Sequence, residues 1–475
     1  MLNLYLIDEV KVKFEGLSQK EIKYIIDSTK NYVKGYFQTA AFKIGEWDGK
    51  ESFFMEDGFT FYYMLDKVFP LLENLGYNVD TDIEVHDLRD TYTPPEKITE
   101  GFLGEYGIIL RDLQYKAVNA VIDNEKGILN CATSSGKTKI SLCLSKIYDS
   151  VGFKSLNIVP SQNLRNQTYN EYDGKIDGVY KITDKDSVES IKEALEKYRH
   201  FIVTWQKLNN ITEALNGFVG VLIVDEVHRF GDVLCNITAN ELSDCPIRVG
   251  MTGTVPKDKN KREKVCCHIG GDVIYNVEAS ELMEEGLAAQ ADITMIETDH
   301  KRFHQEFDQS KWDWTKEQTY LNNNKERVIE LADYINNLQS TNTLVLCSRQ
   351  MAENLHNETG IPYIDGDVKA DTRQYYYDLF ENNDGVKLIA SYGTSSVGIS
   401  IDRIFRLVLI DVGKDFSTVV QSIGRGIRKD GVFNKVEVLD ISADSKYSLK
   451  HKKERIKIYD KHKYNYTVSN QTIII

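Results

Sequence analysis

The chain has 475 residues, a formal net charge of −14 from 58 basic and 72 acidic side chains, and 41% hydrophobic and 27% charged residues. This length suggests roughly three domains, and the ordinary globular composition excludes a disordered, collagenous or coiled-rod protein. The negative net charge argues against a protein that coats nucleic acid with most of its surface. It does not argue against local basic patches.

No stretch approaches the roughly 18 unbroken apolar residues of a membrane span. The N-terminal sequence MLNLYLIDEVKVKF lacks a basic segment followed by an apolar one, so we expect no secretory signal. Seven cysteines without a C-x-x-C pair indicate reduced thiols, and Cys266-Cys267-His268 is a poor metal site because adjacent cysteines cannot easily share a tetrahedral ion. We therefore expect a cytoplasmic protein.

Residues 1–95 are predicted to form a small α+β accessory domain that binds substrate. It begins with the strands LNLYLI and VKVKF and the helical segment SQKEIKYIIDSTKNYVKGY, which Ser18 would cap together with Glu21. The segment GEWDGKESFF indicates a turn into a strand, with Asp48-Gly49 as the hairpin turn. The prolines in 92–95 predict a linker.

Short apolar runs then alternate with helical segments, a pattern typical of βαβ units and buried parallel sheets. The first series, assigned to a domain of residues 96–290, contains GILNCAT, KSLNIVP, HFIVTW, VGVLIVDE and IRVGMTGT. The second, assigned to 291–445, contains TNTLVLCS, VKLIASYG, RLVLIDVG and KVEVLDIS. Residues 446–475 are predicted to be a basic C-terminal extension, because the segment from Lys446 to Lys463 contains eight Lys or Arg side chains and two acids.

A phosphate-binding loop is predicted at residues 131–138, CATSSGKT, between the strand GILN and a helix. Lys137 would contact the β- and γ-phosphates of ATP, and Thr138 would offer its hydroxyl to Mg²⁺. Backbone N–H groups would bind the triphosphate at Ser134, Ser135 and Gly136. Cys131 departs from the usual first residue, and a plain Ser/Gly turn before a helix is the alternative.

Two further elements complete the predicted catalytic site. Asp225 and Glu226 end the apolar run VGVLIVDE, where Asp225 would hold Mg²⁺ and Glu226 would orient or deprotonate the attacking water. In the second sheet domain, Gln421-Ser-Ile-Gly-Arg425-Gly-Ile-Arg428 places two arginines on one face of a helical turn. They would stabilise charge on the transferring phosphoryl group, the alternative being a solvated basic helix.

The order of these motifs resembles that of the superfamily-two helicases. The other segments that carry the resemblance are RDLQ at 111–114, LNIVPSQNLRNQ, IVTWQ, DEVH, MTGT, LVLCSR and ASYGTSSVGISID. Within the superfamily, SYGTSSVGISI and VVQSIGRGIRK are most similar to the phage UvsW helicases. The resemblance implies an α/β protein with two tandem RecA-like parallel-sheet domains, driven by ATP and Mg²⁺.

The resemblance also implies roles for single residues. Gln114 would contact adenine, Gly398 would approach the nucleotide, and an acid common in relatives is replaced by Ser400. Coupling between the domains is implied for His228, Thr252 and Thr254. Contact with the sugar-phosphate backbone is implied for Ser161, Gln162, Thr204, Gln206, Ser348, Arg349, Thr394 and Ser395.

The implied activity is ATP-dependent unwinding or branch migration of forked or branched DNA in recombination and fork repair. ATP would bridge Lys137 with Arg425 and Arg428, and its hydrolysis would release that bridge. We expect sequence-independent DNA contacts, a monomer, no membrane partner and, if the protein is phage-encoded, the cytoplasm of the host cell. The segment between Lys446 and Lys463 is either an electrostatic hold on duplex arms or a solvated helix face.

Three other functions remain open. An RNA helicase, or an enzyme that unwinds RNA–DNA hybrids, would use the same motor motifs, which hardly distinguish the sugar. A motor subunit of a restriction or repair complex would need a nuclease or methylase module, for which the sequence offers no carboxylate-rich signature. An annealing or scaffold protein with a vestigial ATP site would lack nucleic-acid-stimulated phosphate release.

Overall fold

Among the residues that the structure describes, two seven-stranded sheets, a four-stranded sheet and a two-stranded sheet organise the chain. The computed structural model describes residues 1–99, 101, 104, 107–132, 134–229, 231–285, 290–300, 313–392, 403–413, 435–461 and 463–474. The chain divides into one unit of residues 1–131 and 135–277 and a second of 278–475 with 132–134.

The N-terminal sheet has the strand order β5-β2-β1-β6, with β1 antiparallel to β2 and parallel to β6. The strands and helices of this region are β1 (Leu2–Leu6), β2 (Lys11–Glu15), α1 (Gln19–Thr29), β3 (Asn31–Tyr32), α2 (Ala40–Lys43), β4 (Lys50–Glu51), β5 (Phe59–Phe61), α3 (Leu65–Asn74) and β6 (Ile83–Asp87). The strands β3 and β4 form a separate two-stranded sheet. Short 3-10 helices occupy Tyr36–Gln38 and Tyr62–Met64.

Two local predictions for this region need correction. The capping box of Ser18 and Glu21 is present, but α1 ends at Thr29, whereas the predicted helical segment ran on through β3. Asp48-Gly49 does not close a two-residue hairpin either. β4 pairs with the distant strand β3, and residues 33–49 form the loop between them.

The first parallel sheet has the strand order β13-β7-β12-β11-β8-β10-β9. Its strands are β7 (Lys126–Cys131), β8 (Lys154–Val159), β9 (Val179–Lys181), β10 (His200–Thr204), β11 (Val219–Asp225), β12 (Ile247–Thr252) and β13 (Val273–Val277). The helices that precede or connect them are α4 (Asp112–Asn124), α5 (Lys137–Ser150), α6 (Gln162–Tyr172), α7 (Val188–Lys197), α8 (Trp205–Leu208), α9 (Thr212–Leu215), α10 (Asp232–Asn240) and α11 (Lys259–Ile269), with a 3-10 turn at Val227–Arg229.

This strand order places the predicted catalytic segments side by side. The central strands are almost entirely buried, as expected for a parallel sheet that is covered on both faces. β12 lies between β7 and β11 and is parallel to both. The loops after these three strands therefore leave the sheet at the same carboxyl edge, which is where open α/β sheets bind ligands.

The second parallel sheet has the order β16-β17-β15-β18-β19-β14-β20. Its strands are β14 (Gln290–Asp299), β15 (Thr343–Cys347), β16 (Tyr363–Ile364), β17 (Lys387–Ser391), β18 (Arg406–Ile410), β19 (Lys435–Ala443) and β20 (Asn465–Ile474). The helices of this unit are α12 (Ala279–Glu284), α13 (Trp314–Asn323), α14 (Lys325–Asn337), α15 (Arg349–Thr359), α16 (Ala370–Asn382) and α17 (Lys446–Lys461). Residues 446–475, predicted as an extension, thus contribute a helix and the strand β20, which pairs with β14.

The N-terminal sheet shares a core with the first parallel sheet. Cys267 of α11 and Ala239 of α10 belong to the same buried apolar cluster as the N-terminal strands. The buried carboxylate of Glu263 in α11 accepts a hydrogen bond from Asn31 at 2.8 Å and pairs with Lys67 at 2.8 Å. The N-terminal region is therefore packed onto the parallel-sheet domain rather than merely tethered to it.

Candidate active site

The phosphate loop connects β7 to α5 in a backbone conformation that few residue types adopt easily. Gly136 has a φ of 82° and Ser134 a φ of 72°. A Cβ atom at Gly136 would lie 2.2 Å from Nε2 of Gln114, so this position requires glycine for both conformation and space. The helix that follows directs its N-terminal N–H groups towards the loop, which favours an anion there.

Gln114 supports the phosphate loop through hydrogen bonds at both ends of its side-chain amide. Oε1 accepts a hydrogen bond from the backbone N–H of Arg111 at 2.9 Å, and Nε2 donates to the carbonyl of Ser135 at 2.9 Å. The side chain is buried. The structure thus places Gln114 against the phosphate loop, and its predicted contact with adenine stays a prediction.

Lys137 and Glu226 approach each other at the sheet edge. Lys137 Nζ lies 3.7 Å from Glu226 Oε1 and 3.3 Å from the carbonyl oxygen of Cys131. Both charged side chains are largely buried, with exposed fractions of 15% and 10%. The attraction between these two opposite charges offsets part of the free-energy cost of removing each of them from water.

The backbone at Glu226 is strained. Its φ of 52° lies in the left-handed region, which costs a non-glycine residue on the order of 1–3 kcal/mol and is typical of functional sites. Its N–H donates to Oδ1 of the preceding Asp225 at 3.0 Å. The turn therefore places two consecutive carboxylates at the carboxyl end of β11.

His228 contacts residues on two neighbouring strands. Its Nδ1 lies 2.7 Å from Thr252 Oγ1 at the end of β12 and 3.3 Å from Glu226 Oε2. Thr252 Oγ1 in turn donates to the carbonyl of Thr254 and accepts from its N–H, both at 3.0 Å. Burial lowers the pKa of His228 to about 4, more than the nearby Glu226 carboxylate raises it.

The donors of the loop fit a triphosphate and its divalent cation. Ser135 is fully buried, and its Oγ has no hydrogen-bond partner among the described residues. A buried hydroxyl without a partner is costly, so its position suits an oxygen of a bound phosphate. Thr138, in the first turn of α5, and Asp225, at the end of β11, carry the kind of oxygen atoms that Mg²⁺ takes beside phosphate oxygens. Their predicted role as Mg²⁺ ligands stays a prediction.

The predicted nucleic-acid contacts of the first unit lie at neighbouring strand ends. Ser161 follows β8, and Thr204 ends β10, which is paired in parallel with β8. The Ser161 side chain accepts a hydrogen bond from the N–H of Leu164 and so caps α6. Gln162 is exposed and donates to Asp184 at 2.7 Å, and Gln206 is exposed in α8.

The predicted contacts of the second unit are engaged within the protein. Ser348 caps α15 and bonds to Asn322 at 2.9 Å. Arg349 is 64% exposed but pairs with the carboxylates of Asp365, at 3.0 Å, and Asp367. A nucleic-acid phosphate would have to compete with these acids. The remaining predictions lie outside the described residues, namely Thr394, Ser395, Gly398, Ser400, Gln421, Arg425 and Arg428.

The basic helix α17 has a buried side and a lysine side. Arg455 is buried and makes a bidentate contact with Asp440 at 2.8 Å, and Lys452 pairs with Glu297. The exposed lysines follow the helical repeat on one face, at positions 446, 450, 453 and 457. Part of the predicted positive charge is therefore structural. The four exposed lysines, which we call the lysine face, face solvent, and Lys457 also pairs with Glu454 at 2.9 Å.

Sequence reasoning missed an aromatic region in residues 31–51. Rings of Tyr32, Tyr36, Phe37 and Phe42 contact one another there. The pattern NYVKGYFQTAAFK, in which lysines interleave with aromatic residues, could have indicated it.

Comparison with protein families gives two matches in chain order. The family described as "Type III restriction enzyme, res subunit" matches residues 107–257. The family described as "Helicase conserved C-terminal domain" matches residues 310–430. The two parallel-sheet domains together thus carry the two halves of a helicase motor.

Individual relatives agree with these matches. The chain is 24% identical to the ATP-dependent DNA helicase uvsW of Enterobacteria phage T4, over 97% of this chain and 99% of the relative. It is 29% identical to the DNA 3'-5' translocase XPB2 of Sulfurisphaera tokodaii, over 38% of each chain. It also resembles the structure of the DUF1998 helicase MrfA bound to DNA and AMPPNP, with 15% identity, a TM-score of 0.55, and coverage of 80% of this chain and 55% of that one.

The predicted fold class is confirmed by the two parallel sheets and by this structural similarity. Within the part of the chain that the structure describes, no helix has the length and apolar character needed to cross a membrane. All seven cysteines are buried and free.

Proposed function

We propose that this chain, which belongs to the superfamily-two helicases and is an ATP-hydrolysing helicase that binds DNA, moves along DNA and remodels forked or four-way junctions in recombination and replication-fork repair. The family assignment accounts for the use of ATP and for unwinding of, or translocation along, nucleic acid. The junction substrate and the biological setting are the finer parts of the proposal, and they rest on the sequence resemblance to the phage UvsW helicases.

The observation that carries the proposal is the proximity of Lys137 and Glu226, with 3.7 Å between Nζ and Oε1. Phosphoryl transfer needs a cation on the β- and γ-phosphates and a carboxylate that orients or deprotonates the attacking water. Lys137 supplies the first and Glu226 the second, on two loops that leave the same edge of the sheet. Bound ATP would draw Lys137 towards the phosphates and leave the Glu226 carboxylate for the water.

Thr138 and Asp225 would hold Mg²⁺ together with the phosphates. When bound, the ion supplies charge neutralisation on the β- and γ-oxygens. The remaining contacts of the loop come from the chain itself. Ser135 offers its buried hydroxyl, Gly136 its N–H, and Gln114 holds the carbonyl of Ser135 so that the loop keeps this shape.

Arg425, Arg428 and Gln421 keep the roles that their sequence pattern assigns. We propose that the two arginines stabilise the charge of the transferring phosphoryl group. Arg425→Ala should leave ATP binding nearly intact and stop hydrolysis, as measured by nucleotide binding and by phosphate release on the same preparation. An equal loss of binding would contradict the assignment.

DNA rather than RNA is favoured as the track because the relatives named above are described as a DNA helicase and a DNA translocase. The strand-end positions of Ser161 and Thr204 support contacts with the sugar-phosphate backbone, which carry no base sequence information. The lysine face of α17 adds a surface for a duplex arm, since its four side chains lie on one side of the helix.

The test is phosphate release measured side by side with single-stranded, duplex, forked and four-way DNA and with single-stranded and forked RNA. We expect the highest stimulation by forked or four-way DNA and little by RNA. Lys137→Ala provides the background for every substrate. Equal stimulation by plain duplex and junction DNA would overturn the junction substrate, and preferred stimulation by RNA would overturn DNA as the track.

A further inference from the structure

A cluster of buried polar side chains, which we call the polar core, lies where α5, α6 and β8 pack together. It consists of Ser141 and Ser145 of α5, Asn157 of β8 and Tyr172 of α6, none of which is more than 3% exposed. Polar groups in such a position are costly unless they bond to one another. The hydrogen bonds of this cluster therefore help to decide how the three elements are held together.

The hydroxyl of Tyr172 is the centre of the polar core. It lies 3.0 Å from Ser141 Oγ, 3.2 Å from Asn157 Oδ1 and 3.3 Å from Ser145 Oγ. Tyr172 is the last residue of α6. One hydroxyl group at the end of α6 thus contacts both the helix that follows the phosphate loop and a strand of the sheet.

The proton of this hydroxyl has two alternative acceptors. Ser141 Oγ donates to the carbonyl of Thr138 at 2.9 Å and therefore accepts from Tyr172. Burial raises the pKa of Tyr172 above its usual value, so the hydroxyl keeps its single proton. A well-aligned hydrogen bond is made either to Ser141 on α5 or to Asn157 on β8, which gives the polar core two discrete arrangements.

The polar core reaches the nucleotide site through α5. Ser141 lies about one helical turn after Lys137, and the carbonyl that accepts its proton belongs to Thr138, the residue after Lys137. A displacement of the first turn of α5 when a triphosphate binds would therefore change the distance between Ser141 and Tyr172.

On its other side, the polar core reaches a predicted nucleic-acid contact. Ser161 lies between β8 and α6 and caps α6, so each of the two elements that flank it carries a member of the cluster. Because α6 is one continuous helix of 11 residues, a displacement of its first turn also moves Tyr172 at its end.

A packing role alone would not require the Tyr172 hydroxyl. Leu156 and Ile158, which flank Asn157 in β8, belong to a buried apolar cluster, and apolar residues of similar volume often stabilise a core as well as a buried polar network does. Tyr148 of α5 is also fully buried, and its Oη has no hydrogen-bond partner among the described residues. The first unit thus tolerates a buried tyrosine hydroxyl without a network, and the bonds of Tyr172 point to a function.

We propose that Tyr172 is a positioning residue that couples DNA contact at Ser161 to nucleotide binding at the phosphate loop. Its hydroxyl bonds to Ser141 in one state of the motor and to Asn157 in the other. The inference rests on the proposed function, which supplies DNA and ATP as the two ligands. Being fully buried, Tyr172 offers no surface to either ligand, so the coupling passes through α5, α6 and β8.

The experiment measures this coupling as a change in affinity. Binding of full-length protein to forked DNA is followed by fluorescence anisotropy with and without a non-hydrolysable ATP analogue, and binding of the analogue is followed with and without DNA. Linkage requires one factor to describe both changes, and in wild type we expect about fivefold or more. Tyr172→Phe should reduce this factor by about threefold or more, with the affinity for each ligand alone close to that of wild type.

Two further variants separate coupling from packing. Ser141→Ala removes the acceptor on α5, so it should reduce the factor as Tyr172→Phe does, and the double variant should reduce it no further. Tyr148→Phe is the matched control, because it removes from α5 a buried hydroxyl that has no hydrogen-bond partner among the described residues. It should keep the wild-type factor. Urea unfolding of each variant reports the effect on stability.

The outcomes distinguish this inference from the proposed function. A wild type whose phosphate release DNA does not stimulate overturns the proposed function, and the coupling with it. With a stimulated wild type, a wild-type factor near one overturns the inference alone. So does an unchanged factor in Tyr172→Phe or Ser141→Ala, even beside a loss of stability, because the polar core is then only structural. An equal reduction in Tyr148→Phe also overturns it, and if Tyr172→Phe does not fold, Ser141→Ala decides.

Discussion

His228 donates a hydrogen bond from Nδ1 to the hydroxyl of Thr252, 2.7 Å away. The direction follows because that hydroxyl already gives its proton to the carbonyl of Thr254. Burial lowers the pKa of His228 to about 4, so the ring is neutral at pH 7 and carries its single proton on Nδ1. One side chain thus links the loop after β11, which holds Glu226, to the end of β12.

Removing either partner of this bond should impair turnover through the same contact. We expect His228→Ala and Thr252→Val each to lower DNA-stimulated ATP turnover about tenfold, the cost of one hydrogen bond of roughly 1.4 kcal/mol. The double variant should be no worse than the poorer single variant, because the two residues act as a unit. ATP affinity, measured in parallel, should change little. Multiplicative losses in the double variant would show that the two residues act independently.

Gln114 gives a second prediction, because its amide supports the phosphate loop. Gln114→Ala leaves the carbonyl of Ser135 without its donor, which costs roughly 1–3 kcal/mol, so the KM for ATP should rise about tenfold. If Gln114 mainly supports the loop, the KM for GTP should rise by the same factor as the KM for ATP. A variant that loses only its preference for ATP over GTP would instead show that Gln114 contacts adenine.

Three buried histidines predict an acid-sensitive first unit. Burial lowers the pKa of His200, His228 and His268 to about 4 in each case, whereas an unfolded histidine titrates near 6.5. The unfolded chain therefore binds more protons between pH 6.5 and pH 4, and stability falls as the pH is lowered through this window. Each histidine should contribute about 1.4 kcal/mol per pH unit.

Urea unfolding followed across that window measures the slope. His268→Gln should reduce it by about 1.4 kcal/mol per pH unit relative to wild type, since one proton fewer is taken up on unfolding. If His268→Gln does not alter the dependence of the unfolding free energy on pH, the conclusion that His268 is neutral in the folded protein is wrong.

The lysine face of α17 predicts a change in salt dependence. Each phosphate contact that is lost lowers the slope of log K against log salt by roughly 0.9. Replacing all four lysines by glutamine should therefore lower the slope for forked DNA by as much as roughly 3.6. Equivalent replacements at exposed lysines elsewhere form the control set: Lys20, Lys23, Lys316 and Lys325. Equal effects of both sets would make the lysine face an ordinary solvated surface.

The strands and the ends at which the catalytic loops leave them could be predicted from the sequence, because apolar runs and their polar ends are local features. Ser18 and Glu21 show the same for a helix cap. The φ of 52° at Glu226 has no local sequence marker. It is held by the surrounding fold, and only the structure reveals it.

Contacts between distant segments were the part that the sequence could not supply. The amide of Gln114 contacts Ser135 because β7 and the start of α4 lie together in the fold. Positive charge near the C-terminus was evident, but the pairing of Arg455 with the buried Asp440 depends on β19 lying beneath α17. Tertiary packing therefore decided which basic residues are structural and which are exposed.

The most direct test of the central claim, that this is a DNA-driven ATP motor with its catalytic centre at Lys137 and Glu226, is phosphate release with and without forked DNA in three proteins. Wild type should be stimulated by DNA. Lys137→Ala should lose ATP binding and turnover, and Glu226→Gln should bind ATP but lose hydrolysis, each by about a thousandfold or more. DNA-stimulated turnover that survives in either variant would place the catalytic centre elsewhere and contradict the account.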